Sequence, residues 1–256
     1  MNFKVHEIQG YIQTIYLIEH SEGLLLLDGC CRPDAEVVFK YIKEELNKGI
    51  SDLKLVISTH AHPDHAGALF LFKKQGIPVA GPVDLKDWYS GVNGFFTYWV
   101  DILLTYLVAM NKRRKFKNIL FPRKVHLDFK LGEGDRVPGF DEWKVLECPG
   151  HTGVDLTIIH DESKLAYVAD NIVGSSRKVF RPYPIIYPEK YKKSLQRYLD
   201  LGVEDFLIAH HGRVKVSKKE IEELIKTTPA TSRRHLNNLH SIFLKLLKSF
   251  LKKVFK

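Results

Sequence analysis

The sequence predicts a mixed α/β fold, and three observations support this. Short apolar runs typical of buried strands recur along the chain, separated by segments with the periodicity of helices. Several of these runs end directly in loops that carry histidine or aspartate. The chain has 256 residues, 45% of them hydrophobic, and no linker rich in Gly, Ser or Pro divides it. We therefore expect one sizeable domain whose polar loops meet at one edge of a sheet.

The predicted strands and helices alternate along the chain. Leu24–Leu27 is a predicted strand that ends at Asp28. Asp34–Lys48 is a predicted helix, with an acidic start and a glycine directly after its end. Leu53–Ser58 has the composition of a buried strand, and Glu189–Leu201 is a second candidate for an outer helix.

Three histidines and an aspartate follow the strand Leu53–Ser58 within six positions. Side chains alternate along an extended segment, which sends His60 and His62 to one face. Beyond Pro63, Asp64 is the predicted N-cap of a helix that begins at Ala66, so Asp64 and His65 point in a second direction. Imidazoles and carboxylates rarely crowd in this way without a cation. This one loop can offer ligands to two neighbouring metal ions.

Three later loops carry further candidate ligands, each after an apolar run. They are His151 after the strand-like Trp143–Glu147, Asp170 after Leu165–Ala169, and His210 or His211 after Phe206–Ala209. Six or seven nitrogen and oxygen ligands without a thiolate suit zinc, iron or manganese. We expect the loops to converge on a site for two divalent metal ions, with zinc as the first choice and iron or manganese as alternatives.

The pattern His60-x-His62-x-Asp64-His65 resembles the signature of the metallo-β-lactamase superfamily. The loop Pro149-Gly150-His151, then Asp170, and finally the His210-His211 pair follow in the order of that family, over roughly residues 1–216. The resemblance implies an αββα sandwich, in which two β-rich halves (about 1–130 and 131–216) each give a sheet with helices outside. It points to the hydrolases of the superfamily and leaves the branch open, with glyoxalase II and the lactonases as candidates.

The resemblance also implies a role for each residue. His60, His62 and His151 would hold the first ion, and Asp64, His65 and the last histidine the second, with Asp170 between them. Aligning the chain on Gly212 favours His211 over His210 as that last histidine. Asp64 would also be the catalytic residue that orients the nucleophile and moves its proton. Asp28 would steady a ligand from behind, and Cys148 is better explained as a small buried hydrophobic residue.

The implied activity is metal-dependent hydrolysis of a small ester-like bond, a thioester or a lactone. Two cations would activate a bridging water and polarise the substrate oxygen. A phosphodiesterase, ribonuclease or phospholipase of the same fold is the nearest alternative. An iron-dependent oxidoreductase such as a sulfur dioxygenase is an alternative of another class, and a binding protein that has lost catalysis is a third.

The segment Trp88–Phe121 is an apolar and aromatic insert. Residues 92–110 are nearly long enough to span a bilayer. We expect no crossing, because candidate ligands lie on both sides of the segment in sequence and Asp101 lies at its middle. The insert is instead predicted to form one or two helices that cap the metal cleft or contact a second subunit.

The net charge of +9 is concentrated near the end of the sequence. Residues 231–256 carry seven Lys or Arg and no acidic residue, which leaves about +2 for the rest of the chain. We therefore expect residues 1–230 to form the catalytic domain, with the insert at about 88–121, and residues 231–256 to form a basic amphipathic helix. That helix would pack on the domain or on a twin subunit, or lie on an anionic membrane surface.

The expected partners and location follow from the same features. A small-molecule substrate and self-association into a homo-oligomer are predicted, with contact to a membrane surface as a second option. A nucleic-acid partner is not expected, because the basic residues do not form a continuous groove. Three cysteines give no disulfide framework, and Lys4, His6 and Glu7 interrupt the first apolar run, so we predict a cytoplasmic protein that could bind peripherally at the membrane.

Overall fold

The structure, a computed structural model, describes residues 2–175 and 178–232. It has two six-stranded sheets packed face to face, with helices on both outer surfaces. The α/β class and the αββα sandwich are confirmed. The predicted basic helix at 231–256 lies almost entirely outside the described residues.

The first half of the chain builds one sheet and the helices that cover it. Its strands lie in the order of the sequence: β1 Phe3–Gln9, β2 Thr14–His20, β3 Leu24–Leu27, β4 Leu53–Ile57, β5 Val79–Pro82 and β6 Phe129–Leu131. The helices are α1 Asp34–Glu44, α2 Pro63–Ala66, α3 Leu69–Lys74 and α4 Gly91–Asn111, with 3-10 turns at Ile50–Asp52 and Leu85–Asp87. Strands β1 to β3 pair antiparallel, and β3 to β6 pair parallel.

The second half builds the other sheet. Its strands are β7 Arg136–Val137, β8 Phe140–Glu147, β9 Leu156–His160, β10 Leu165–Ala169, β13 Asp205–Ile208 and β14 Gly212–Lys215; a separate two-stranded sheet pairs β11 Val173–Ser175 with β12 Lys178–Phe180. The helices are α5 Pro188–Asp200 and α6 Lys218–Lys226. The boundary between the two sheets falls between Leu131 and Arg136, close to the predicted division of the chain.

Burial of apolar side chains explains the layers. Tyr16, Leu25 and Ile57 of the first sheet pack against Trp143 and Tyr167 of the second, and all five are fully buried. The strand residues between these positions point outward, as the two-residue period of a strand requires. They meet the helices on each side: Val38, Phe72 and Ile102 on the first sheet, Leu195, Tyr198 and Ile221 on the second.

Two helix boundaries differ from the prediction by more than one residue. Helix α1 ends at Glu44 rather than Lys48, and Asn47 has a positive φ of 51° that a helix cannot continue through. Asp64 is not an N-cap: α2 begins at Pro63 with His62 at the cap position. Proline favours the first position of a helix, so Asp64 lies inside the first turn and its carboxylate is free to face the site.

The insert forms a single long helix, α4, between β5 and β6. By length and composition it could cross a membrane, and it is the only candidate among the described residues. Its flanking strands, however, pair side by side in one sheet, which a single crossing between them would prevent. Gly94, Tyr98, Ile102, Thr105 and Ala109 are buried at helical spacing along its length. The helix therefore packs on the domain, as expected.

Candidate metal centre

The loops with the predicted ligands leave the carboxyl ends of β4 in the first sheet and of β8, β10 and β13 in the second, and they meet at one edge of the sandwich. The loop after β4 carries His60 to His65, the loop after β8 carries His151, and Asp170 directly follows β10. Strands β8, β10 and β13 run in the same direction, so the loops that follow them leave from one edge of the second sheet. Two groups of side chains that could hold a metal ion lie here, and all of them are buried except the half-buried His210.

The first group consists of His60, His62, His151 and Asp170, and one ligand atom of each lies within 4.8 Å of the others. The Nδ1 atom of His62 is 3.0 Å from Nε2 of His60 and 3.2 Å from Nε2 of His151. The Asp170 Oδ2 atom is 3.6 Å from Nε2 of His151. All four residues are buried.

The second group consists of Asp64, His65 and His210. The Nε2 atom of His210 lies 3.1 Å from Oδ2 of Asp64, and Nε2 of His65 lies 3.5 Å from the same oxygen. The structure therefore places His210 in this group, rather than His211, which the alignment on Gly212 favoured. The His211 ring instead packs on Gly174, where an added Cβ would lie 2.6 Å from its Cγ. The chain turns after β13, with His211 N donating to Ile208 O at 3.2 Å, and this turn selects His210.

The Asp170 carboxylate lies between the two groups. While its Oδ2 faces His151 in the first group, its Oδ1 is 3.4 Å from Nε2 of His65 and 3.2 Å from Nε2 of His210 in the second. One carboxylate can thus serve two neighbouring cations. The split of His60 and His62 from Asp64 and His65 matches the two directions predicted for their loop.

Hydrogen bonds behind the site fix the tautomer of two histidines. The Asp28 Oδ2 atom accepts from Nδ1 of His65 at 2.7 Å, which leaves Nε2 of His65 without a proton in the neutral ring. The Thr59 hydroxyl donates to Asp28 at 2.9 Å and lies 3.0 Å from Nδ1 of His60. Its only proton is used on Asp28, so Nδ1 of His60 must be the donor. The Tyr167 hydroxyl completes the arrangement by donating to Asp28 at 2.5 Å.

Backbone carbonyls orient two further histidines in the same sense. The Nδ1 of His151 donates to Pro184 O at 2.9 Å, and Nδ1 of His210 donates to Ile12 O at 3.3 Å. The His151 loop is held by Asp155, whose carboxylate accepts from the backbone of Gly150 at 3.0 Å and of Thr152 at 2.7 Å. Four histidines therefore present an unprotonated Nε2 to the site when neutral, as metal-binding imidazoles do.

The arrangement of these atoms fits a metal. When the imidazoles are neutral, the Nε2 lone pairs of His60 and His151 both lie beside Nδ1 of His62. A cation bound between these three nitrogens would stabilise the cluster. The buried Nε2 of His65 makes no hydrogen bond to any of the described residues. When zinc–ligand distances are about 2.0–2.1 Å, the ligand atoms of a tetrahedral site lie roughly 3.3 Å from one another. The ligand-atom separations given above for the first group, 3.0 to 3.6 Å, are close to this value. The donor set, all nitrogen and oxygen, suits zinc, iron or manganese.

Charges within the second group reinforce each other. Burial opposes ionisation of Asp64, but the neighbouring charges of His65 and His210 outweigh it and hold its pKa at about 2. Burial disfavours the imidazolium of His210, yet the carboxylates of Asp170 and Asp64 raise its pKa to about 9. The same carboxylates, with Asp28, raise the pKa of His65. The group thus attracts positive charge, which a metal ion can supply in place of protons.

Helix α4 adds a carboxylate that the sequence reasoning used only as evidence against a membrane crossing. Asp101 is buried, and its Oδ2 lies 3.9 Å from Nε2 of His62. It accepts hydrogen bonds from the Tyr89 hydroxyl at 2.9 Å and from Trp88 Nε1 at 3.4 Å. Burial raises the pKa of Asp101 to about 7, although both hydrogen bonds oppose this. The insert therefore reaches the metal centre.

A cavity of about 540 Å³ opens over the two groups. His62, Asp64, His151, Asp170 and His210 form its base, while Leu104, Thr105 and Val108 of α4 form one wall. Its other lining residues are mainly apolar, namely Ile12, Pro63, Val173, Gly174, Pro182 and Tyr183, with Asp101 and Lys112 as the charged exceptions. An apolar cavity with polar groups at its base is typical of a small-molecule site.

A family model of the metallo-beta-lactamase superfamily matches residues 8–229, which includes every residue of both groups. The chain belongs to this superfamily. A relative named as a probable metallo-hydrolase, YqjP of Bacillus subtilis (strain 168), is 28% identical over 174 residues. That match covers 63% of the chain and 53% of the relative, so the chain spans about half the length of YqjP.

Solved structures show the same fold at low sequence identity. The metallo-beta-lactamase family protein TTHA1429 of Thermus thermophilus superposes with a TM-score of 0.65 at 18% identity, covering 88% of this chain and 78% of that one. TTHA1623, solved in a di-iron-bound form, gives a TM-score of 0.59 at 20% identity, covering 89% and 98%. These likenesses support the fold assignment.

Sequence reasoning missed the residues that hold the ligands from behind. Tyr167 was seen only as part of an apolar strand, although a tyrosine whose hydroxyl is buried needs a polar partner. Asp155 could have been suspected from its position three residues after Thr152, where an aspartate commonly accepts hydrogen bonds from a turn. Nothing in the sequence indicated that Asp101 would lie beside His62.

Proposed function

We propose that this protein is a metal-dependent hydrolase that holds two divalent ions and cleaves a small ester-like bond, a thioester or a lactone. The observation that carries the proposal is the Asp170 carboxylate, which lies between two groups of candidate ligands at the base of a largely apolar cavity. The relative named as a probable metallo-hydrolase supports a hydrolase.

His60, His62 and His151 would hold the first ion, and Asp64, His65 and His210 the second, with Asp170 shared. When bound, two such ions lower the pKa of a water molecule and polarise the substrate oxygen. Zinc is proposed first because it suits these ligands at the observed spacing. Iron and manganese share the preference for imidazole and carboxylate, so metal content must be measured.

The residues of the chain supply the rest of the chemistry. Asp64 faces the cavity, so its carboxylate can orient the attacking water and accept its proton. The wall formed by Leu104 and Val108 would exclude bulk water and contact the apolar part of an acyl group. Asp28 keeps the His65 ring in the required orientation.

The lining of the cavity favours an acyl substrate over a phosphodiester. Lys112 is the one cationic side chain of Lys or Arg type among its described lining residues, and its ammonium already donates to Ile12 O. A phosphodiester chain is usually bound by several cations. A thioester or lactone needs only the activated water, an acceptor for the developing oxyanion and an apolar surface.

A substrate panel on zinc-, manganese- and iron-loaded protein tests the proposal. We expect turnover of short-chain thioesters or lactones in preference to phosphodiesters and a β-lactam. The Asp64→Asn variant should lose turnover while its thermal unfolding stays cooperative, and the exposed Asp200→Asn variant serves as a matched control. Preferential cleavage of a phosphodiester, or bound metal with no hydrolysis of any ester, would contradict the proposal.

A further inference from the structure

Helix α4 has a second face that the fold leaves exposed. Its buried residues face the domain, but a stripe of large apolar side chains lies on the opposite side. The stripe consists of Val92, Phe95, Phe96, Trp99, Leu103 and Met110, each 44–74% exposed. Positions 92, 96, 99, 103 and 110 are three, four or seven residues apart, so they lie in one row along the helix, with Phe95 beside them. A contiguous apolar row of this kind on a protein surface usually marks an interaction site.

The row continues beyond the end of the helix. The ring of Phe116, which is 80% exposed, stacks on Tyr106 with centroids 4.9 Å apart and an interplanar angle of 14°. Tyr106 lies between Leu103 and Met110 on the same side of α4. We call the exposed row from Val92 to Met110, together with Phe116, the α4 stripe.

Basic residues flank the α4 stripe at both ends. Between residues 88 and 124 the sequence has seven Lys or Arg and one acidic residue, Asp101, and Asp101 is buried on the other face of the helix. Arg113, Arg114, Lys115 and Lys117 follow the C-terminal end of α4 and are all exposed. At the other end, the Arg123 guanidinium lies 5.3 Å from the ring of Phe95, and Lys124 is next to it in sequence.

This distribution of charge decides between two occupants. A second copy of the chain, paired with α4 in either direction, would bring basic residues against basic residues, because both ends of the stripe are positive. Like charges in contact are unfavourable. An anionic lipid surface complements the same charges and also accepts the apolar row, with Trp and Phe at the level of the headgroups.

We propose that the α4 stripe and its flanking basic residues dock on an anionic lipid bilayer. The helix would lie along the surface, because its opposite face is packed on the domain from Gly94 to Ala109. Each basic residue near an anionic membrane strengthens binding, and apolar side chains that enter the interface add to it. This inference concerns binding alone and does not depend on the proposed hydrolytic activity.

Fluorescence of Trp99 provides a test that is specific to the stripe. The chain has three tryptophans; Trp143 is fully buried and Trp88 is half-buried. The full-length protein is mixed with vesicles of phosphatidylglycerol whose acyl chains are brominated. We expect quenching in the parent protein and much less in the Trp99→Phe variant. Vesicles of phosphatidylcholine alone, with the same brominated acyl chains, should quench neither protein.

The charge requirement is tested with matched variants in the full chain. Changing Arg113, Arg114 and Lys115 to Gln should weaken binding to phosphatidylglycerol vesicles by roughly 100-fold. Changing Lys218, Lys219 and Lys226 of α6 to Gln removes the same charge elsewhere and should weaken binding by less than about threefold, since screening limits distant charges. Circular dichroism melting confirms that each variant is folded.

Three results would overturn the proposal. The first is an absence of binding to phosphatidylglycerol vesicles. The second is binding without quenching of Trp99, which would assign the contact to another part of the chain. The third is a dimer in sedimentation analysis without lipid that Leu103→Ser converts to a monomer, which would assign the stripe to a second copy.

Discussion

Asp28 and His65 are joined by a hydrogen bond of 2.7 Å between the carboxylate Oδ2 and the ring Nδ1, and both side chains are fully buried. Asp28 also accepts from Thr59 and Tyr167. No other carboxylate among the described residues contacts the ring from behind. The orientation of the His65 ring therefore depends on a residue more than thirty positions earlier in the chain.

Replacing Asp28 by Asn should weaken binding of the second ion. An amide has one acceptor oxygen in place of two, so it cannot serve Thr59, Tyr167 and His65 together. We expect affinity for the ion at the second group to fall about 10–100-fold, measured by competition with a chelating dye. Asn tolerates the positive φ of 82° at this position, which limits backbone effects. Asp34→Asn, at a buried carboxylate that contacts no histidine, is the control and should keep parental affinity.

The histidine pair after β13 should behave asymmetrically. His210→Ala removes a group 3.1 Å from Asp64, so the metal content should fall from about two ions per chain to about one. His211→Ala removes a ring that packs on Gly174 and should leave the content unchanged. Elemental analysis of both purified variants measures this. Loss of metal in His211→Ala with retention in His210→Ala would show that the turn after β13 is misassigned.

Filling the cavity should reduce turnover without removing metal. Val108→Trp places a large side chain in the cavity wall, and displacing the substrate from the reacting groups should lower kcat/KM on the order of 100-fold. Leu103→Trp, on the exposed side of the same helix, is the matched control for a soluble substrate. If both variants keep parental kinetics, the substrate does not enter this cavity.

Stability should depend on pH through Asp34, a buried carboxyl outside the metal centre. Its Oδ1 accepts from Tyr11 N at 2.8 Å, and burial raises its pKa from 3.8 to about 6. Because the folded pKa is raised, folding favours the protonated form. The ionised carboxyl therefore destabilises the fold increasingly as pH rises from about 4 to 6, and fully above that range.

The Asp34→Asn variant removes this dependence. Relative to the parent protein, its free energy of unfolding should increase by about 2–3 kcal/mol between pH 4 and pH 7.5. Urea denaturation of both proteins in the presence of a chelator measures the difference, and bound metal then does not contribute. An equal difference between the two proteins at both pH values would show that Asp34 is not buried in an unfavourable environment.

Much of the fold and the site could be predicted because the relevant signals are local. The apolar runs before His60, His151, Asp170 and His210 are strands whose ends place those residues at one edge. In the loop after β4, the side chains alternate in direction up to His62, which puts His60 and His62 in the same group. The helix that begins at Pro63 then turns Asp64 and His65 toward the other group.

The remaining features depend on contacts between distant segments. A turn after Ile208 places His210, rather than His211, in the second group. The neighbouring Gly212 does not by itself determine that turn. The approach of Asp101 to His62 requires α4 to pack across the cleft. The bond from Tyr167 to Asp28 joins the two sheets across 139 positions of sequence. Sequence periodicity carries no information about such pairs.

Anomalous diffraction at the zinc edge from crystals of the zinc-loaded protein tests the central claim most directly. The claim is that two ions share the Asp170 carboxylate. We predict two anomalous peaks, one among His60, His62 and His151 and one among Asp64, His65 and His210, with Asp170 in contact with both. A single peak, or two peaks that do not share Asp170, would contradict the account.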